Sequence, residues 1–177
     1  MQRKELVLIV LDYYINNPKN RYTTSVEGID TFIAKEDGIY SFFLYNNGSI
    51  DNIVLNLKES TRKQRINVGL IGYRNEGKIE NFIINYETTL YGSQYMSGVC
   101  LYSTGTVQNG YIYGNGIEAI DDITIGDYRY IAGVVFQVED KGIVQNIYNI
   151  STIKMYHCDS TYSYAANIVY NVGYPPV

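Results

Sequence analysis

One short phrase, Gly-x-Ile/Val-x-Asn, returns four times along the chain and limits the possible architecture more than any other feature. It stands at Gly48-Ser49-Ile50-Asp51-Asn52, Gly77-Lys78-Ile79-Glu80-Asn81, Gly105-Thr106-Val107-Gln108-Asn109 and Gly142-Ile143-Val144-Gln145-Asn146. The glycines are 29, 28 and 37 residues apart, and 31 residues further on stands Gly173. A second element precedes each copy: Gly69-Leu70-Ile71-Gly72-Tyr73, Gly98-Val99-Cys100-Leu101-Tyr102, Gly133-Val134-Val135-Phe136-Gln137 and a degenerate Ala166-Asn167-Ile168-Val169-Tyr170. Gly38 to Phe42 reads as an earlier, weaker copy. Ile71, Cys100, Val135 and Ile168 form one apolar column, and Ile50, Ile79, Val107 and Val144 form a β-branched one. Asp51, Glu80, Gln108 and Gln145, next in line, are always polar, which is the period-two pattern of strands with one wet face. A unit of roughly 30 residues cannot bury such a face alone and must stack on copies of itself. The repeat therefore predicts an all-β fold, a parallel β-helix of about four to five turns. With coils ~4.8 Å apart it would be a stub about 20 to 25 Å long.

Composition agrees with a single folded unit. The chain has 177 residues, 46% hydrophobic and 18% charged, enough apolar surface for a core and too much for disorder. Twenty Tyr, 16 Gly, 3 Pro and no Trp lean towards strands and turns. A net charge of -4 with 14 Lys and Arg leaves no cation surplus for nucleic acid. No apolar run approaches the roughly 18 residues of a membrane span, so no membrane insertion is expected. Leu6 to Leu11 is too short for a signal-peptide core, and Asp12 ends it without a cleavage site. Leu6, Ile9, Val10, Tyr13 and Tyr14 fall at helical spacing before Asn16-Asn17-Pro18, which favours a capping helix over a strand. Residues 1–30 are thus the N-terminal cap and lead-in, and 31–177 the repeats. The other end, Tyr174-Pro175-Pro176-Val177, offers no cap for an open strand edge, as expected of a piece of a longer solenoid or of one followed by another domain.

Candidate functional residues follow from the columns. Asn52, Asn81, Asn109 and Asn146 share the parity of the apolar column and are expected to point inward at a corner as a structural ladder. The competing reading is a row of ligand-binding amides. Gly48, Gly77, Gly105 and Gly142 are expected to supply positive-φ turn residues. Tyr73, Tyr102 and Tyr170 share a column by this alignment, with Gln137 between, and Tyr111 and Tyr148 share another. Such rings either present platforms for sugars or proteins, or simply stack to stabilise the sheet. The longest repeat carries an insertion, 115–130, with Asp121, Asp122 and Asp127. Insertions on solenoids often carry function, and paired carboxylates there could serve a lyase or glycosidase, or bind calcium. No calcium-loop spacing accompanies them, so solvated turn carboxylates are the expectation. His157, the sole histidine, is read as a loop residue. Cys100 and Cys158 are too few and too distant to form a disulfide framework or zinc site. No cofactor or metal is expected.

The stretch Val68-Gly69-Leu70-Ile71-Gly72-Tyr73-Arg74-Asn75-Glu76-Gly77-Lys78-Ile79-Glu80-Asn81-Phe82-Ile83-Ile84-Asn85 resembles the GLUG-type repeat, and Arg21 to Asp30 resembles the lead-in that precedes such repeats. The resemblance covers most of residues 28–173. It implies a right-handed β-helix and an extracellular or cell-surface place in bacteria, as in adhesins and the N-terminal regions of IgA-cleaving zinc metallopeptidases. The peptidase activity does not carry over, because an H-E-x-x-H helix needs two histidines. The expected function is a non-catalytic module for recognition or adhesion, or a spacer for a neighbouring domain. Its partner would be a host glycan, a host protein or that domain. The alternatives are a carbohydrate-active enzyme and an oligomer- or fibre-forming module.

Overall fold

The computed structural model describes residues 21–23, 31–32, 38–60, 66–92, 95–119, 129–155 and 163–172. Its strands come in coils. β1 (Arg21–Thr23) and β2 (Thr31–Phe32) open the order, and β3 (Gly38–Tyr40), β4 (Phe43–Asn46), β5 (Ser49–Leu57) and β6 (Glu59–Ser60) make the next coil. β7 (Ile66–Gly69), β8 (Gly72–Asn75), β9 (Lys78–Tyr86) and β10 (Leu90–Gly92) follow, then β11 (Tyr95–Ser97), β12 (Cys100–Ser103), β13 (Thr106–Gly114) and β14 (Ile117–Ala119). The last are β15 (Arg129–Ala132), β16 (Val135–Val138), β17 (Ile143–Asn149) and β18 (Ile153–Met155), with β19 (Ser163–Ala166) and β20 (Val169–Val172) above them. Like strands stack in parallel into three five-stranded sheets, β1-β5-β9-β13-β17, β19-β15-β11-β7-β3 and β20-β16-β12-β8-β4. A three-stranded sheet, β10-β14-β18, and the pair β2-β6 complete the wall. This is the expected parallel β-helix. The first strand falls within the lead-in, where Tyr22 pairs with Ile50. The expected capping helix lies outside the described residues.

The core is the inside of the coil. Ile50, Ile79 and Val107 are buried in one column, with Val144 partly so. Ile71, Cys100 and Val135 are fully buried and Ile168 partly so, but they do not form the single column expected, because Cys100 stands in register with Gly72 and Val135 with Val169. Burial raises the Cys100 thiol, which makes it an inert core side chain. A polar column is set among these apolar ones: Asn46 Nδ2 donates to Asn75 Oδ1 at 2.7 Å, and Asn75 Nδ2 to Ser103 Oγ at 3.0 Å. Each amide also donates to a backbone carbonyl of the long strand, Lys78 and Thr106 respectively. Satisfied in this way, a fully buried Asn75 is tolerable. The column ends at β16, where Val138 stands in register with Ser103.

Two expectations exchange roles. Among the described residues only Gly114 and Gly116 have positive φ among glycines, whereas Asn52, Asn81, Asn109 and Asn146 have φ of 54 to 58°. The asparagines, which tolerate the left-handed region best of non-glycine residues, make the bend. Gly77 and Gly105 serve close approach instead: a Cβ on Gly77 would lie 2.0 Å from the Gly48 carbonyl oxygen, and one on Gly105 2.0 Å from that of Gly77, whereas Gly48 itself has room for one. The left-handed residue also resets parity. Ile79 and Phe82 both point inward although three residues apart, and Asn81 between them is exposed. The inward asparagine expected from strand alternation is therefore an outward one.

Candidate functional site

The outer face of the long strands β5, β9, β13 and β17 is built from registered columns. Asn109 Nδ2 donates to Asn81 Oδ1 at 3.1 Å and Asn146 Nδ2 to Asn109 Oδ1 at 3.3 Å. At the lower end Asn81 donates not to Asn52 but to Asp51 Oδ1, at 2.7 Å. Beside this ladder runs a second one, Gln145 to Gln108 and Gln108 to Glu80, each 2.8 Å. In both, every amide donates towards the N-terminal coil, and a carboxylate receives the last bond. An amide has two N–H donors and an oxygen with two lone pairs, so a ladder residue that gives and accepts one bond keeps one of each for solvent or ligand.

On the other side of the asparagines lies an apolar stripe. Val54, Ile83, Tyr111 and Tyr148 are in register and are exposed by 48, 40, 39 and 65%. Tyr111 and Tyr148 stack with centroids 5.9 Å apart and planes 18° apart, and Tyr113 lies 5.2 Å from Tyr111. Asn56, Asn85 and Tyr113 form the next outward column, with Asn85 donating to Asn56 at 3.2 Å. The expected Tyr111–Tyr148 column is thus present and open. Val54 and Ile83 extend it, a continuation that the sequence masks because they are aliphatic where the later coils are aromatic.

The other expected tyrosine column is not a column. Ser97, not Gly98, pairs with Gly69, and Ala132, not Gly133, pairs with Ala166, so the first and last second elements are each one residue out of register with the middle two, which keep step with one another. Tyr102 stands opposite Arg74 and Gln137. Tyr73 and Tyr102 still meet, edge to face at 5.4 Å, and Tyr170 stacks on Phe136 at 5.3 Å and 6°. Buried Leu101, Ala132 and Phe136 sit beneath these rings and those of Tyr95 and Tyr130 in a second, external apolar cluster. Tyr95, Tyr130 and Tyr164 form the aromatic column that the sequence alignment missed, stacked at 5.4 and 5.8 Å. Tyr95 and Tyr130 each stand three residues before Gly98 and Gly133, and Tyr164 stands two before Ala166, so a one-residue slip hides the third member of the column. Desolvation raises the Tyr102 and Tyr170 hydroxyls, as expected for rings packed into a cluster. Tyr73, Tyr95, Tyr102, Tyr130 and Tyr170 pack over the buried cluster and hold the corner together, while Tyr164 at the last coil stays 44% exposed.

Beside the corner, Arg74 links three coils. Its Nε meets Glu76 Oε1 at 3.1 Å and its Nη2 meets Glu139 Oε2 at 3.2 Å, while the Tyr45 hydroxyl donates to Glu76 at 2.6 Å. The Tyr45 hydrogen bond and, beyond it, Arg74 hold Glu76 below the usual carboxylate range. A shallow depression of about 420 Å³ opens between Asn149, Ile153, Ala165 and Asn167 at the C-terminal coil. Asn149 and Asn167 exchange amide-to-carbonyl bonds there, at 2.9 and 3.3 Å, and no titratable group lines it. Asp121, Asp122, Asp127, His157 and Cys158 lie outside the described residues. Among the described residues no group of three His, Cys, Asp or Glu could hold a metal ion.

No known protein family, characterised protein or solved structure matches the chain.

Proposed function

We propose that the protein is a non-catalytic recognition module of a bacterial surface or secreted protein, and that the outer face of β5, β9, β13 and β17 is its contact surface. The observation that carries this reading is the exposed, in-register stripe Val54, Ile83, Tyr111, Tyr148 between columns of amides. A soluble monomer rarely leaves so continuous an apolar row uncovered without a use for it. Stacked rings with hydrogen-bonding edges suit sugars, whose C–H faces are apolar and whose rims are hydroxyls. The resemblance of the repeat to GLUG-type sequences supports the surface setting and an adhesin-like or spacer role. The test is a broad glycan array probed with the whole chain, with Tyr111→Ala and Tyr148→Ala beside it. Specific binding lost in both variants supports the reading, and a blank array overturns it in favour of a spacer.

A second reading, assembly, is favoured by the last coil. Among the described residues no strand pairs beyond β17, β18, β19 or β20, and Val144, Ile147, Ile153, Met155, Ile168 and Val169 there are only partly buried. Open parallel edges over an incompletely covered core are templates for another chain. Light scattering across a concentration series tests this, since a strict monomer throughout excludes it.

A further inference from the structure

The recognition face has a direction and a pitch, and these narrow the ligand. Its three outward columns, Asn52-Asn81-Asn109-Asn146, Val54-Ile83-Tyr111-Tyr148 and Asn56-Asn85-Tyr113, run along the solenoid axis, at right angles to the strands that carry them. None holds a charged side chain. Asp51 and Glu80, at the foot of the neighbouring ladder, would repel an anion. The surface is therefore matched to something uncharged, apolar on its face, polar along both edges, and periodic at the spacing of the coils, ~4.8 Å.

Resting on the reading of this face as a recognition surface, we infer that it binds a neutral linear polysaccharide of equatorially linked hexopyranoses, laid along the axis with one sugar per coil. Such a chain is a flat ribbon. Its ring faces present C–H groups, its hydroxyls lie along both edges, and each sugar advances it by about one coil spacing. Tyr111 and Tyr148, whose rings stack on one another, would meet two successive sugars along their exposed edges, and Ile83 and Val54 the next two. The N–H and lone pair left free on Asn81, Asn109 and Asn146 would meet hydroxyls on one edge, and Asn56 and Asn85 those on the other. An axially linked glucan coils away from a straight row and cannot keep pace with it. The face contributes binding only, with no bond made or broken.

The experiment is titration calorimetry of the whole chain with β-1,4-linked gluco-oligosaccharides and N-acetylglucosamine oligosaccharides from two to six sugars, with maltohexaose as the coiled control. Affinity is expected to rise with each sugar up to four and then level off. Tyr148→Ala should weaken every length tenfold or more. Val54→Lys should weaken the four-sugar ligand and leave the two-sugar ligand unchanged, which a merely misfolded variant could not do. Equal affinity for maltohexaose, no dependence on length, or no binding of either ribbon overturns the inference. If the array nevertheless shows Tyr148-dependent binding of a branched or anionic glycan, recognition by this face stands and only its proposed ligand falls. A blank array removes both.

Discussion

Asn109 and Gly110 show how much of this fold is decided one residue at a time. Asn109 occupies φ 56° on the exposed face and also carries the ladder, so its backbone and its amide are separate reasons for asparagine. An alanine loses both, and pays the left-handed penalty of about 1–2 kcal/mol, whereas glycine loses only the amide. Urea unfolding should accordingly find Asn109→Ala less stable than Asn109→Gly by about 1 kcal/mol, and equal stabilities would show that the bend does not select the residue. Gly110 answers to packing instead. A Cβ there would sit 2.1 Å from Cζ of Phe82, whose ring fills the space over the glycine. Gly110→Ala should lose about 1–3 kcal/mol by overpacking, and Phe82→Leu in the same chain should recover part of it in a double-mutant cycle. Simple additivity would place the cost elsewhere.

Between elements, coil is tied to coil by side-chain columns, and the tightest is buried. Removing the Asn75 amide takes one partner each from the Asn46 amide and the Ser103 hydroxyl and leaves a cavity in the core, so Asn75→Ala should cost about 2–4 kcal/mol. A thermal shift no larger than that of the exposed Asn85→Ala would contradict this. The Arg74 link is an exposed counterpart, worth about 1 kcal/mol or less. Its acid dependence has a definite sign. Because Glu76 is held below its ordinary range, its contribution is complete above the unfolded carboxylate pKa and fades as pH falls through the lower folded one. The stability gap between the wild type and Glu76→Gln should close on acidification over that window, and a gap that widens would refute the assignment. The apolar columns of the long strands were legible in the sequence because every copy offers Ile or Val two residues after glycine. The Asn46-Asn75-Ser103 column was not, since its third member changes chemistry and its fourth position is Val138. The second elements misled for a different reason. Gly69 and Gly98 look equivalent in sequence, but Gly98 sits one place beyond the glycine's partner, and a one-residue slip moves every tyrosine to another column.

For the whole molecule the decisive contrast is between two tyrosine surfaces. One, at the corner of two sheets, closes over Leu101, Ala132 and Phe136 and belongs to stability. The other stacks ring on ring along the long strands and is left exposed. The ends matter too: both outward ladders finish at the last coil in amide oxygens, Asn146 and Gln145, that take no bond from a further coil among the described residues. If open edges drive association, its extent should grow with concentration, and Ile143→Lys on β17, at a residue 47% exposed, should suppress it in light scattering. Association unaffected by that charge would point away from the β17 edge. The measurement closest to the central claim compares Tyr102→Ala with Tyr148→Ala, recording melting temperature and affinity for the best glycan on the array from the same preparations. The account predicts that Tyr102→Ala melts several degrees lower and binds as the wild type does while folded, whereas Tyr148→Ala keeps its melting temperature and loses binding tenfold or more. Binding lost through Tyr102 with Tyr148 indifferent would contradict it and move the recognition surface to the corner.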